Sequence, residues 1–383
     1  MIPFSYSIRN LFRRPVQSVQ LIAGSSLVIL LIMTAASINL AMENTLKNSG
    51  ESRNAILLGA GSEESIERSE VSSSLAEVAG ASIKNIRKVF GQHALSPEIH
   101  YNGLISLDDQ ISSQALLRGV TYQSLWVHPK IRITEGRFPR AGEVMVGKLA
   151  YKKLGVTKNT LQVGSSINFN NEKLVVSGMF DALGTVMEAE IWLPVYDLMA
   201  YTQRSTFSCV VLALENTDEF GEVDAFSKMR LDLEVVAIKE TEYYAKISSF
   251  FEPIRWLAWV CAMLIGAGAL LGGLNTLFAA FTLRIKEFGA LQAIGFSRLS
   301  LLISLVQESS LSGIFGSILA FFVSLGFLQG ISFPFSIGVF VLDFNPSVLK
   351  LGIFSGLVLG LLGGIPPGWT CLRPNLPETL RSS

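Results

Sequence analysis

Residues Arg284–Arg298 read RIKEFGALQAIGFSR, and this stretch decides how the chain is organised. It separates two long apolar runs with almost no charge, and each run is long enough to span a membrane. The stretch combines four charged residues with four apolar residues at helical spacing, namely Arg284, Lys286, Glu287 and Arg298, and Ile285, Phe288, Leu291 and Ile294. This pattern predicts an amphipathic helix at a membrane face, where it would dock a partner in the cytoplasm.

The composition indicates a membrane protein with a large polar domain. Only 16% of the 383 residues are charged, against about 25% in soluble proteins. The shortage of charge lies at the N-terminus and in the last third of the chain. The 31 basic and 31 acidic residues cancel, so no basic field favours nucleic acid. Cys209 is the only cysteine in the polar middle, which excludes an intrachain disulfide there.

Four apolar runs predict four spans, at residues 21–41, 254–283, 299–330 and 348–369. The first run also fits a signal peptide, because basic residues precede it and small residues end it. Its length exceeds the roughly 7–15 apolar residues of a signal peptide, so we expect a retained anchor.

Basic residues cluster next to the spans on one side, which predicts the orientation. They are Arg9, Arg13 and Arg14 before the first span, Arg284, Lys286 and Arg298 after the second, and Arg373 and Arg381 after the fourth. Residues 331–347 contain neither lysine nor arginine. We therefore expect both termini and the loop 284–298 in the cytoplasm, with residues 43–250 outside. Before the first span, the apolar residues Phe4, Ile8, Leu11 and Phe12 predict an interfacial helix, the alternative being a basic flank that only sets the topology.

The polar middle alternates strand-like and helix-like runs, which predicts a mixed α+β domain of one or two subdomains. We expect strands at 54–58, 114–119, 143–146, 190–193 and 209–214, and a hairpin from 162–169 and 173–178 across Asn170 and Asn171. We expect helices at 71–90, 148–154, 198–203 and 218–229, and a solvated loop at 62–74.

Glycines recur every four residues in two spans, at Gly268 and Gly272 and at Gly352, Gly356, Gly360 and Gly364. This spacing predicts close helix packing, either within the chain or across a dimer. Glu308 is the acidic residue placed deepest in a span. We expect it to serve helix packing or an interface rather than a proton relay, which needs several ionisable groups.

The sequence offers no site for catalysis or metal binding. Gly142–Leu149 fits the phosphate-loop spacing, but Leu149 stands where Ser or Thr must hold Mg²⁺. The three histidines, His93, His100 and His128, lack the spacing of zinc ligands. Asp108 and Asp109 fit a turn better than a catalytic pair. We therefore expect a non-enzymatic chain without its own cofactor.

The loop also resembles a family signature. Arg284-x-x-Glu287-Phe288-Gly289-x-Leu291-x-Ala293-Ile294-Gly295 is similar to the signature of FtsX-like permeases of the MacB and LolC/LolE kind. Further segments that resemble the family are Ile8–Leu11, Glu135–Phe138, Trp192–Pro194 and Gln307–Glu308.

The resemblance implies the transmembrane permease subunit of an ABC transporter in the bacterial inner membrane. Its partners would be a separate ATPase that binds ATP and Mg²⁺, a second copy or homologous permease, membrane lipids and a periplasmic membrane-fusion adaptor. Residues 1–42 would hold the first span, 43–250 a MacB-type periplasmic core, and 251–383 the other three spans. The implied ATPase-coupling residues are Arg284, Lys286, Glu287, Phe288, Gly289, Leu291, Ile294 and Gly295. A signalling adaptor that activates a cell-wall hydrolase is the alternative, although the large external domain favours export.

Overall fold

A computed structural model describes residues 4–13, 15–107 and 111–373. Arg14, Asp108, Asp109 and Arg381, named above, lie outside the described residues. The chain divides into two compact units. The span unit comprises Met1–Ala41, Pro253–Ile331 and Leu342–Ser383, and the sheet unit comprises Met42–Glu252 and Ser332–Val341.

The helices of the described residues are α1 (Phe4–Arg13), α2 (Pro15–Ser49), α3 (Leu75–Ser82), α4 (Ser124–Val127), α5 (Ala150–Leu154), α6 (Val195–Thr202), α7 (Phe220–Met229), α8 (Glu240–Phe250), α9 (Glu252–Thr282), α10 (Ile285–Ala293), α11 (Arg298–Val323) and α12 (Pro346–Cys371). The strands are β1 (Asn54–Gly59), β2 (Lys88–Val89), β3 (Gln92–His93), β4 (Leu95–Leu107), β5 (Ile111–Val120), β6 (Arg132–Gly136), β7 (Glu143–Gly147), β8 (Ser166–Phe169), β9 (Glu172–Asp181), β10 (Ile191–Pro194), β11 (Cys209–Ala213), β12 (Val235–Lys239), β13 (Ser332–Phe335) and β14 (Gly338–Val341).

Among the described residues, four helices are long and apolar enough to cross a membrane, which confirms the predicted number of spans. They are α2, α9, α11 with its π-helical extension to Leu328, and α12. The amphipathic helix α1 packs on α11 through its polar side, where Ser7 and Asn10 are buried. Two of its predicted apolar residues, Ile8 and Phe12, are 38% and 75% exposed. That exposed apolar side suits a helix lying at a lipid surface.

Small residues bring α11 and α12 together. A Cβ atom added to Gly360 would lie 2.5 Å from the Cα of Ser310, so only glycine allows this approach. The Ser317 and Ser309 hydroxyls donate hydrogen bonds of 2.8 Å to the carbonyls of Gly352 and Gly360. Gly356 and Gly364 face α11 as well. Gly352 contacts both α11 and Met33 of α2. Water does not compete for hydrogen bonds between spans inside a bilayer, so these hydrogen bonds hold α11 against α12.

The two glycines of α9 have a different environment. A Cβ added to Gly268 or Gly272 would meet nothing within 4 Å. The structure therefore gives them no packing partner within the described part of the chain. Their role in helix packing stays a prediction, and the partner helix would belong to a second chain.

The sheet unit is built around β4, which belongs to two sheet regions. A run of β12, β1, β11 and β4 is antiparallel throughout. From β4 the pairing continues through β5, β10, β7 and β9, and β8 then pairs both β9 and β4. Six strands thus form a closed ring that shares β4 with the open run. The open edge strand β6 pairs with β9.

The hairpin of β8 and β9 confirms the predicted turn, since Asn170 and Asn171 adopt φ values of 47° and 67°. The other predicted strands also occur, with ends shifted by a few residues. Gly142–Leu149 contains the buried strand β7 and forms no phosphate-binding loop.

Two predictions for the sheet unit were correct only in part. The expected helix at 71–90 covers only α3, because Val71 and Ile86 bury their side chains by pairing with Phe207 and Leu214. The expected solvated loop at 62–74 contains a 3₁₀ turn whose Ile66 is buried, and the Ser69 hydroxyl accepts a hydrogen bond from Gly59 N. Apolar residues at helical spacing can therefore be buried without a helix, when an irregular segment pairs with the ends of strands.

The connection between α11 and α12 contains a hairpin that the sequence did not suggest. Strands β13 and β14 belong to the sheet unit, where Gly338 packs on Val186. The Lys153 ammonium donates to the carbonyls of Phe335 and Ser336. Phe335 also meets Phe251 edge to face, with 6.1 Å between ring centroids.

We predict that Gly360→Val destabilises the full chain in detergent by about 1–3 kcal/mol, because overpacking forces α11 and α12 apart. Thermal unfolding measures the effect. Gly24→Val in α2 is the matched control, since an added Cβ there meets nothing within 4 Å and the change should alter stability by less than about 0.5 kcal/mol. Equal losses in both variants would contradict the packing described here.

Candidate functional site

Helix α10 has a buried side that holds it to the span unit. Phe288 is only 2% exposed and packs in a cluster with Phe281, Leu301 and Leu305. Ile285 and Leu291 pack against the same cluster. All three were predicted to dock a partner, Phe288 and Leu291 among the ATPase-coupling residues; Phe288 is buried within its own bundle, whereas Ile285 and Leu291 are only half-buried against it. The reason is that α10 is short and must bury one face against its neighbours to be ordered.

An ion pair fixes the start of α10. The Arg284 guanidinium is 2% exposed and donates to both Glu308 oxygens, at 3.0 and 3.1 Å. Its carbon lies 5.1 Å from the centre of the Phe288 ring. The Asn10 amide donates to Glu308 at 2.6 Å. Glu308 therefore ties α1, α10 and α11 together, which is the helix-packing role expected for it.

The opposite side of α10 is exposed. Lys286 and Glu287 lie on it, and Ile294, just after the helix, is 76% exposed. Gly289 is buried, whereas Gly295 is exposed and adopts a φ of 107°, which favours glycine. The turn leads to Ser297, whose hydroxyl caps α11 by accepting from Ser300 N at 3.2 Å. Of the predicted coupling residues, Lys286, Glu287, Ile294 and Gly295 are thus accessible to a partner.

The sheet unit holds a second polar cluster, which we call the β4 network and define as Asn54, Glu98, His100, Arg118, His128, Glu190 and Glu240. Strand register explains how it assembles. Glu98 and His100 lie two residues apart on β4 and so share a face. His100 is paired with Arg118 of β5, and Arg118 is paired with Trp192 of β10.

Arg118 is the centre of the β4 network. Its guanidinium donates to both oxygens of Glu190, at 2.7 and 2.8 Å, and to Glu98 at 2.9 Å. The Trp192 indole donates to Glu190 at 2.8 Å. All four side chains are buried. Despite the burial, the Arg118 cation lowers the pKa of the Glu190 carboxyl, and His128 and Arg118 hold the pKa of Glu98 well below its usual range.

His128 links Glu98 of β4 to Glu240, and Glu240 joins the two ends of the segment Met42–Glu252. The His128 Nε2 lies 2.9 Å from Glu98 Oε1, and its Nδ1 lies 3.8 Å from Glu240 Oε1. Glu240 also accepts from the Asn54 amide and from the backbone N–H of Glu51, at 2.9 and 3.0 Å. The Glu98 carboxylate raises the pKa of His128 against the effect of burial, whereas burial raises the pKa of Glu240.

Cys209, Glu98 and His100 come close enough to suggest metal ligands, since their donor atoms lie within 4.8 Å of one another. The chemistry does not fit a cation. Both oxygens of Glu98 already accept from Arg118 or His128, and a metal would face the Arg118 guanidinium. Burial also raises the pKa of the Cys209 thiol well above its usual value. We assign this group a structural role.

Sequence reasoning missed both the β4 network and the Arg284–Glu308 pair. The available signal was that Glu98 and His100 alternate with apolar residues in a strand-like stretch. Apart from the neighbouring Glu98 and His100, the hydrogen-bonded partners in the network lie between 20 and 186 positions apart in the chain, so only the folded sheet brings them together.

The comparisons with known proteins account for most of the chain. Residues 21–225 match the MacB-like periplasmic core domain, and residues 259–376 match the FtsX-like permease C-terminal domain. The chain belongs to the MacB/FtsX-type family of ABC transporter permeases. No curated protein matches it. The fold class expected from the sequence is therefore confirmed, with four apolar helices and an α/β periplasmic domain.

Three solved structures resemble the sheet unit at low identity. The periplasmic region of MacB from Actinobacillus actinomycetemcomitans is 12% identical, with a TM-score of 0.40 over 54% of this chain and 97% of that one. The extracellular domain of the transporter YknZ from Gram-positive bacteria is 11% identical, with a TM-score of 0.38 over 48% and 99%. A putative permease domain from Porphyromonas gingivalis is 11% identical, with a TM-score of 0.33 over 49% and 87%.

We predict that Glu308→Gln loosens α10, because it leaves the Arg284 cation buried without its carboxylate, at a cost of roughly 2 kcal/mol or more. Hydrogen exchange of the peptide covering α10 should rise. Glu287→Gln is the control, since Glu287 is half exposed and lies 3.4 Å from Arg284. The double variant Arg284→Met/Glu308→Gln should recover most of the protection, and a further loss would contradict this role for the pair.

We predict that the stability conferred by His128 depends on pH. Its folded pKa lies above its usual 6.5, so its contribution is complete below pH 6.5 and is lost as the pH rises through the folded value. Protection of β4 and β5 in hydrogen exchange should therefore differ most between wild type and His128→Gln near pH 6. The difference should shrink towards pH 9. His93→Gln, outside the β4 network, is the control, and a pH-independent His128 difference would refute the prediction.

Proposed function

We propose that this chain couples ATP hydrolysis by a separate ATPase to movement of its periplasmic domain, for export or extraction. The observation that carries the proposal is the two-sided construction of α10. One side is locked to the span unit through Phe288 and Arg284, and the other presents Lys286, Glu287 and Ile294. A helix that only turned the chain would need no buried ion pair.

The packing supports transmission of force along the spans. A push on α10 acts directly on Glu308 of α11, and α11 is joined to α12 by the serine and glycine contacts. The chain passes between the span unit and the sheet unit four times, including both ends of the β13–β14 hairpin. We infer that a shift of α11 and α12 is passed to the periplasmic domain through these connections.

ATP and Mg²⁺ would be bound by the ATPase. We further propose that the permease works as a dimer, with Gly268 and Gly272 of α9 at the seam. The open surroundings of Gly268 leave room for a second helix, whereas Gly272 lines a cavity of about 410 Å³ with Gly24 of α2 and Gly360 of α12. The transported substrate would be a lipid, lipoprotein, peptide or small molecule, delivered to a periplasmic membrane-fusion adaptor where one is present.

The docking test uses the exposed side of α10. We expect Glu287→Arg/Ile294→Asp to abolish co-purification of the ATPase from host membranes, because it reverses a charge and removes the exposed apolar contact. Quantitative mass spectrometry of the captured ATPase measures this, together with ATP hydrolysis of the complex. Phe288 is not a suitable position, because its replacement would disturb the buried cluster.

Glu252→Arg is the matched control, as an exposed charge reversal at the other end of α9. It should retain the ATPase. If the α10 variant keeps its ATPase and normal hydrolysis, the docking assignment is wrong. Capture of a cell-wall hydrolase with the intact complex, and no exported substrate, would favour the signalling adaptor instead.

A further inference from the structure

Four aromatic side chains form a continuous surface on the sheet unit, which we call the aromatic patch and define as Phe90, Tyr122, Trp126 and Phe138. The ring centroids of Phe90 and Tyr122 each lie 6.4 Å from that of Trp126, and Tyr122 lies 5.3 Å from Phe138. Phe90 and Tyr122 are 94% and 58% exposed. Large apolar side chains that are exposed together mark a contact with another molecule or with a membrane.

Phe90 lies at the tip of the β2–β3 hairpin, in a backbone conformation that a bulky side chain disfavours. Its φ is 50° and that of Gly91 is 81°. A two-residue hairpin turn with these values usually has asparagine followed by glycine. The phenylalanine ring is almost fully exposed, so it adds little to the stability of the hairpin. Folding alone therefore does not explain phenylalanine at this position.

Two connections to the spans run beside the aromatic patch. Trp126 packs on the same buried cluster as Tyr243 of α8, and α8 leads directly into α9. Lys130, four residues after Trp126, donates at 2.7 Å to the carbonyl of Asn48 in the last turn of α2. Asn48 lies seven residues beyond the apolar run that ends at Ala41, and Tyr243 lies nine residues before α9 begins. At about 1.5 Å per helical residue, each is only roughly 10–14 Å from a span, close to the outer edge of the lipid headgroups.

The sequence around Phe90 is basic. Residues 78–97 contain Lys84, Arg87 and Lys88 and no acidic residue. Lys84 and Lys88 are exposed, whereas the Arg87 guanidinium donates to the Trp126 carbonyl beneath the patch. Aromatic rings flanked by exposed lysines are typical of segments that lie at a membrane surface, where phosphate groups attract the lysines.

The geometry of the rings favours lipid over a sugar or a protein. Neighbouring rings are inclined to each other by 60° to 89°, so no two of them form a flat platform on which a sugar could stack. Phe90 projects from a hairpin tip, and a protein partner would need a cavity shaped for it. The membrane interface accepts a protruding aromatic ring without a preformed cavity.

We propose that the aromatic patch rests on the membrane leaflet that faces the periplasm. Phe90 enters the interface between lipid molecules, Tyr122 lies among the headgroups, and Lys84 and Lys88 bind lipid phosphates. This contact does not depend on the ATPase coupling proposed above.

Photocrosslinking of the full chain in host membranes tests the proposal. Benzoylphenylalanine in place of Phe90 keeps an aromatic side chain and reacts with whatever it touches. Mass spectrometry should find a phospholipid adduct on the hairpin peptide. The same residue in place of Leu231, which is 80% exposed elsewhere on the sheet unit, should give no lipid adduct. A crosslink from position 90 to a protein, a second copy included, or equal lipid adducts at both positions would overturn the proposal.

A spin label measures the same contact in nanodiscs of phosphatidylethanolamine and phosphatidylglycerol. The label is attached to Tyr122→Cys in a Cys261→Ser background, because Cys261 is the exposed cysteine of the described residues. It should collide more often with oxygen, which is lipid-soluble, than with a water-soluble nickel complex.

Phe90→Asn should lower this ratio of oxygen to nickel collisions without unfolding the hairpin, because asparagine suits the turn. Phe90→Trp keeps an aromatic ring and should preserve the ratio. An unchanged ratio in Phe90→Asn would show that Phe90 does not hold the patch at the bilayer, and the proposal would fail.

Discussion

The pairing of the Arg284 guanidinium with the Glu308 carboxylate is the interaction on which the loop between the second and third spans depends. An arginine buried at the end of a span is tolerated only with a carboxylate in contact, because desolvation of an isolated charge costs several kcal/mol. The pair fixes α10 against α11, and Asn10 extends it to α1. Because this pair determines which side of α10 is buried, it also determines which side is exposed, and the exposed side is the surface that we propose binds an ATPase.

The two units are stabilised by different kinds of contact. In the span unit the lipid competes with any apolar contact, so glycine and serine provide close approach and hydrogen bonds between α11 and α12. In the sheet unit the hydrophobic effect buries the apolar side chains, and the directional hydrogen bonds of the β4 network fix how the strands are aligned. Arg118 can satisfy Glu98 and Glu190 together only in one strand register, so the network selects that register among alternatives.

The sequence was sufficient for features that depend on local order. The spans, α10 and the turn at Asn170 and Asn171 follow from apolar length, helical spacing and backbone preference. It was not sufficient for the direction in which an amphipathic helix packs. Ile285, Phe288 and Leu291 form an apolar side whether the partner is the chain itself or another protein. The β4 network was missed because its members come from six separate segments of the chain.

The β13–β14 hairpin has a consequence for how the protein is made. The periplasmic domain takes ten of its residues, Ser332–Val341, from a position that follows the third span in the chain. Residues 42–252 leave the ribosome long before that hairpin exists. The surface around Lys153 and Val186 therefore stays uncovered until α11 and the hairpin after it have been synthesised. Completion of the sheet unit therefore follows the synthesis of the third span, an order of assembly set by the order of the chain.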